Sequence, residues 1–450
     1  MFVNRLLGSD RTRALWLLLL GALTTEGAFA VPTIQSWTTP SGGRVLFVPT
    51  EGLPILDVRM VFDAGSARDG NAQGLASLTA TLLMNGAGDL DADGIAQQLD
   101  AIGAQMSASA SRESAQLALR TLTASHELET SLSILKTVVA RPRFETKDVE
   151  RERARTLLGI SQRGEDPGAL AEIAFMRALY GDHPYAHPEE GERETVERLD
   201  SAALRAFHQT HYTIGNGLLV LVGEVSRAQA EAIAVSLFAD LPAGSALPPI
   251  EKPEAPLAAA PKIIPFPSEQ THVLAGTLGV EADDPDYFPL VVGNHVLGGS
   301  GLVSMIMEEV REKRGLAYSA YSYFMPMRRP GPYQLGLQSK NASAREALEV
   351  AFKTLKRFVE EGPSESALMA AKQNLVGGYV LRLDSNLKLI GEVAAIGFLG
   401  RPLDWLARYP SRVEAVTRAA VREAFKRRID PERFRTILVG GVPGEASHPQ

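Results

Sequence analysis

Metal or acid–base chemistry in this 450-residue chain would fall to eight histidines and 53 acidic residues, because no cysteine is present to supply a thiolate ligand, a disulfide or a lipid anchor. His183 and His187 stand four apart, the spacing that puts two imidazoles on one helix face, but Pro184 and Pro188 break any such helix. His208 and His211 are three apart around Gln209 and Thr210 and read as the end of a surface helix. His126, His272, His295 and His448 are isolated, so no zinc site is expected from this chain alone. The run Gly298-Gly299-Ser300-Gly301, ahead of a helix expected from Leu302, could cradle an anion on backbone N–H groups. It lacks the lysine of a P-loop and the GxGxxG spacing, and reads as a tight turn. Arg311 and Tyr318, seven apart, read locally as a solvated helix charge beside Glu308 and Glu312 and an aromatic at the start of a strand.

The elements that must hold these residues come in two similar sets. Gln116-Leu117-Ala118-Leu119 and Gln334-Leu335-Gly336-Leu337 each precede an Ala-Ser pair, Ala124-Ser125 and Ala342-Ser343. Helical apolar spacing follows in both, with Leu128, Leu132, Leu135 and Val139 matching Leu348, Phe352, Leu355 and Val359. Such a repeat is the signature of domain duplication. Strands are expected over 44–48, 56–62, 116–122 and 217–222, and helices over 74–84 and 95–102, the latter after the Asp91-Ala92-Asp93 start signal. Strands and helices without strict alternation indicate an α+β fold, helices packed on a mainly antiparallel sheet. Eight prolines between Pro242 and Pro267 cannot donate regularly to a helix or a ladder and mark a linker. The expected organisation is a segment 1–30, an N-terminal domain 31–241, a linker 242–267 and a C-terminal domain 268–450.

Residues 1–30 read as a secretory signal peptide: Arg5, Arg11 and Arg13 precede an apolar run Ala14–Leu23, and Ala28-Phe29-Ala30 offers small residues for cleavage. The run is about half the roughly 20 residues of a membrane span, so no span is expected after cleavage. A periplasmic location is expected. The formal charge of −7 carries no basic surplus for nucleic acid.

The string Met307-Glu308-Glu309-Val310-Arg311-Glu312-Lys313-Arg314-Gly315-Leu316-Ala317-Tyr318, with Leu297 to Gly301 ahead of it, resembles the C-terminal half-site of the M16 zinc peptidases, the pitrilysin, insulinase and processing-peptidase relatives. Asp182-His183-Pro184-Tyr185 and the stretch from Phe207 to Glu224 extend the likeness over nearly the whole mature chain. The resemblance implies two related α+β domains facing each other across a chamber, with extended peptide laid against a sheet edge. It implies that Arg311 and Tyr318 act on substrate bound to a metal held elsewhere, and that Gly298, Gly299, Ser300 and Gly301 line that substrate. Tyr can donate an O–H to a developing oxyanion, and Arg adds a fixed fork of donors for backbone oxygens.

Active members carry HxxEH, two histidine ligands around a glutamate base, and a third ligand downstream. Aligned on Gly74-Leu75-Ala76, the ligand positions here are Ser77 and Thr81, the base is Ala80 and the third ligand is Gly159. The expectation is a non-catalytic, substrate-binding subunit with no cofactor of its own, forming a heterodimer with an HxxEH-bearing homologue that holds the zinc. The competing expectation is a peptide-binding or scaffold protein without hydrolysis.

Overall fold

The computed structural model describes residues 31–441; the expected signal segment and His448 lie outside them. Among the described residues, the chain from Thr33 onward is one compact unit. No helix among the described residues is long and apolar enough to cross a membrane.

The first sheet contains β1 (Gln35–Thr38), β2 (Arg44–Pro49), β3 (Ile55–Phe62), β4 (Gln105–Ala110), β5 (Ala115–Leu122) and β6 (Gly217–Gly223), in the order β1-β2-β6-β3-β5-β4. The second contains β7 (Lys262–Pro265), β8 (Gln270–Leu278), β9 (Ala317–Phe324), β10 (Pro332–Lys340) and β11 (Arg435–Gly440), in the order β9-β10-β8-β11-β7. Each is antiparallel apart from one pair, β2 with β6 and β11 with β7. Reversed, the second order is the first without β1, so the repeat read in the sequence is a repeat of topology. The proline-rich stretch has no regular structure from 242 to 261, and its end forms edge strand β7.

Helices α1 (Leu75–Leu83), α2 (Ala92–Ala101), α3 (Ser125–Ala140), α4 (Thr146–Arg163), α5 (Pro167–Tyr180), α6 (Ser201–His211) and α7 (Arg227–Phe238) belong to the first half. The second half contributes α8 (Tyr287–Asn294), α9 (Ala344–Glu361), α10 (Glu365–Gly377), α11 (Asn386–Leu399), α12 (Trp405–Glu414) and α13 (Arg418–Arg428). The start signal at Asp91 works as expected: its carboxylate accepts from Gly94 N at 2.9 Å and caps α2. Val45, Phe47, Met60, Leu219 and Leu221 meet Leu78, Leu82, Leu135 and Phe238 in the core of the first half.

The opposite faces of the sheets are covered by exchange. Helix α5 crosses from the first half to pack on β8 and β11, and α11 crosses back to pack on β2, β3 and β6. Pro167 and Asn386 begin these helices 219 positions apart, the spacing of the internal repeat. All seven residues of β6 are buried, because both of its faces are packed, which explains its unbroken Gly-Leu-Leu-Val-Leu-Val-Gly run. Phe175, Met176 and Leu179 of α5 meet Leu274, Ile437 and Val439 in a second core, which joins the halves.

Candidate functional site

Helix α1 begins on a side-chain cap: the Asp69 carboxylate accepts from Gly74 N and Ala76 N, each at 2.7 Å. Ser77 and Thr81 lie one turn apart on it, the Thr81 hydroxyl donating to Ser77 O at 3.0 Å. Ala80 is 1% exposed. Helix α4 packs against α1 and carries the exposed Gly159, where a Cβ would meet open space. The fold therefore brings together the elements that carry a zinc site in the resembled family, but hydroxyls, a methyl and a glycine do not fit zinc. Among the described residues no cluster of three or more His, Asp or Glu could hold a metal ion.

The second constellation is built around a distorted helix and an edge strand. Lys313 N donates to Glu308 O five residues back, a π-type turn that interrupts the helix carrying Arg311. Glu309 accepts from Arg314 at 2.7 Å, Lys313 at 3.0 Å and Arg357 at 3.3 Å, and these bonds hold its carboxyl down at about 2. Those three cations are thereby committed to Glu309. Among the described residues Arg311 has only Glu312 as an ion-pair partner, at 3.8 Å, and it places its guanidinium 5.5 Å from the ring centre of Tyr318. Tyr318 occupies the register shift between Ala317 and Ser319 in β9, the outermost strand of its sheet, and is 74% exposed. The bulge explains the exposure: a residue outside the ladder is re-aimed away from the pleat.

The glycine run stands next to this strand, in a packing role that accounts for at least one of its residues. A Cβ at Gly298 would fall 2.4 Å from Ser322 N on β9. Asn294 Nδ2 donates to Ser322 O at 2.8 Å, and Ser322 Oγ donates to Asn294 Oδ1 at 2.7 Å, so the turn is pinned to β9. Gly301 has φ +64°, a left-handed conformation that glycine takes without strain, and the helix expected from Leu302 begins instead at Met305 after a single 3-10 turn. Leu302 and Val303, directly after it, are 62% and 82% exposed.

The histidine pairs are structural. His183 Nε2 bonds to Glu251 O at 2.9 Å, tying the linker down, and His187 Nδ1 accepts from Gln73 Nε2 at 2.9 Å. His208 Nε2–H donates to Val139 O at 2.8 Å, and His211 bonds to Phe207 O. Sequence reasoning missed the polar contacts between halves. Arg328, in the turn between β9 and β10, reaches Asp63 at 2.7 Å, while Asp63 also takes Arg68 at 2.6 Å. Burial pushes the Asp63 carboxyl up, but the hydrogen bonds from Arg68 and Arg328 outweigh it and the group sits below its ordinary value. Glu113, buried, accepts from Tyr185 OH and from Arg328 N at 3.1 Å.

A family model described as "Peptidase M16 inactive domain" matches residues 198–375, and one described as "Insulinase (Peptidase family M16)" matches residues 44–192. An "Uncharacterized zinc protease" of Mycobacterium leprae is 30% identical over 357 residues, covering 78% of this chain and 79% of the relative. The "Non-peptidase homolog YmxG" of Helicobacter pylori is 26% identical, covering 85% of this chain and 88% of its own. A solved structure of a peptidase M16 inactive domain from Pseudomonas fluorescens superposes with a TM-score of 0.88 at 36% identity, over 91% of this chain and 98% of that one. A protease from Helicobacter pylori shares the fold, with a TM-score of 0.84 at 18% identity.

Proposed function

The chain belongs to the M16 (insulinase) peptidase family, and from that premise we propose that it is the metal-free subunit of a two-chain peptidase, supplying Arg311 and Tyr318 to substrate held at a zinc on a homologous HxxEH partner. One observation carries the reading: Tyr318 projects from a bulge on an edge strand with Arg311 beside it, while the ligand positions Ser77, Ala80, Thr81 and Gly159 offer no metal donor. In such a complex the Tyr318 hydroxyl donates to the oxyanion of the scissile carbonyl, and Arg311 holds neighbouring backbone oxygens of an extended peptide. The exposed Leu302 and Val303 beside the glycine turn would line that peptide. With an export signal at residues 1–30, the complex would work in the periplasm.

The name "Non-peptidase homolog" borne by the Helicobacter relative favours the second reading, a peptide-binding scaffold without hydrolysis. The test is to purify this chain, an HxxEH homologue from the same cell, and the two together, then to measure zinc content and cleavage of unstructured peptides. The proposal expects cleavage that rises on mixing, with zinc only on the partner. Tyr318→Phe in this chain should then lower kcat about 10²–10³-fold with zinc occupancy unchanged. Hydrolysis by this chain alone, with stoichiometric zinc, would overturn it. Complex formation with no gain in cleavage would leave the scaffold reading.

A further inference from the structure

Between the two halves lies a cavity of 580 Å³, within the size range of small-molecule sites. Its apolar wall is Val61, Met176, Met325, Met327, Phe398 and Leu399, drawn from β3, the turn between β9 and β10, and both exchanged helices. Gly391, Ala394 and Ala395 of α11 also border it, and a Cβ added at Gly391 would sit 3.8 Å from the Arg59 guanidinium. The small residues thus leave room above a cation.

Most charges on this wall are already committed. Arg112 donates to Tyr185 O at 2.6 Å and His187 O at 2.8 Å and lies 3.8 Å from Glu189. Glu113 is taken by Tyr185 and by Arg328 N. Two groups are not. Among the described residues, Arg59 has no hydrogen-bond or ion-pair partner, and its Nε is buried. Asp57, the carboxylate that acts on it, is claimed by both arms of Arg120 at 2.9 Å. Burial pushes the Arg59 guanidinium below its ordinary value, only partly offset by the charge of Asp57. Glu172, on α5, has a single long bond from Gln334 at 3.4 Å, and burial pushes its carboxyl up. The charge acting on Glu172 is that of Arg112, so Glu172 and Arg59 do not form a pair.

Both groups are half-buried, and a cavity that keeps one charge of each sign without a close protein partner beside an apolar wall is complementary to a ligand with two charged ends and an apolar body. We infer that the cavity between the halves binds a short apolar peptide with free termini, its carboxylate on Arg59 and its ammonium on Glu172. This binding is independent of the proposed zinc-bearing partner, since every residue it uses is in this chain. The fork of Arg59 suits a planar carboxylate, and the methionines suit side chains of varied shape.

Calorimetric titration of the purified chain with the dipeptide Leu-Leu, its C-terminal amide and its N-acetyl form tests this. Leu-Leu should bind, and each blocked form should bind about ten- to a hundredfold more weakly. Arg59→Met should bind acid and amide alike, and Glu172→Gln should bind free and acetylated forms alike. Absence of binding at millimolar Leu-Leu, or equal binding of all three forms by the unmodified chain, overturns the inference. So does full discrimination retained by folded Arg59→Met. Should either variant fail to fold, the three peptides on the unmodified chain decide between binding through both termini and no such site.

Discussion

At the scale of single residues, what the site lost and what it kept respond differently to change. Thr81 is exposed and Gly159 has open space around it, so Thr81→His and Gly159→Glu should be accommodated. Ala80 is not: at 1% exposure, Ala80→Glu forces a carboxylate into a buried position. It should cost more than about 3 kcal/mol, read as a lower urea midpoint, and the return to HxxEH is blocked by packing more than by ligands. His208 sets a pH dependence. Burial pushes its imidazole down, while the unfolded chain titrates near 6.5, so the unfolded state takes up the proton first as pH falls. Stability should therefore be full above about pH 6.5 and decline below it, by up to about 1.4 kcal/mol per pH unit. His183, His187, His211, His272 and His295 are pushed down by burial as well, so His208→Gln should reduce that decline, not abolish it, in urea titrations at about pH 7.5 and about 5.5. The sequence made the empty ligand positions legible, because identity alone settles them. It could not show that Glu309 holds the cations around Arg311, since Arg357, 48 positions away, reaches Glu309 only in space.

At the scale of elements, periodicity was a faithful guide wherever one element decides its own fate. The strands at 44–49, 55–62, 115–122 and 217–223 and the helices at 75–83 and 92–101 lie within a few residues of their apolar patterns. The exchange of α5 and α11 was not legible, because an amphipathic pattern says that a face is buried and never against which sheet. Its one local trace was the unbroken apolar run of β6, which demands cover on both sides. The cavity left a similar trace: Asp57 and Arg59 interrupt an otherwise apolar β3 on the face that α11 covers. The fit of α11 is close. A Cβ at Gly397 would lie 2.6 Å from both Leu46 Cδ1 and Leu218 Cδ2. Gly397→Val should destabilise by about 2 kcal/mol in thermal unfolding, with little change in Arg311 or Tyr318, which sit on a helix and an edge strand of the other half.

At the scale of the whole molecule, the halves are interlocked more than hinged. Opening about the proline-rich stretch would expose Phe175 and Leu179 on one side and Leu46 and Leu218 on the other, and would break the bond from Arg328 to Asp63. A single cooperative calorimetric transition is expected, and Asp63→Asn should lower it by about 3 kcal/mol by leaving Arg68 and Arg328 unpaired. Fragments 31–241 and 268–441 made separately should fail to unfold cooperatively, and should recover that behaviour when mixed; two independent transitions would show that the exchange is incidental. The same interlocking constrains how the chain is made. The sheet that closes with β6 at Gly223 receives its second cover only from α11, which ends 176 positions later at Leu399. At ribosomal speeds that is a wait of roughly 9–35 s, during which the first half cannot finish on its own. A chain built this way keeps one face of its first sheet uncovered until all but its last two helices, α12 and α13, have been made.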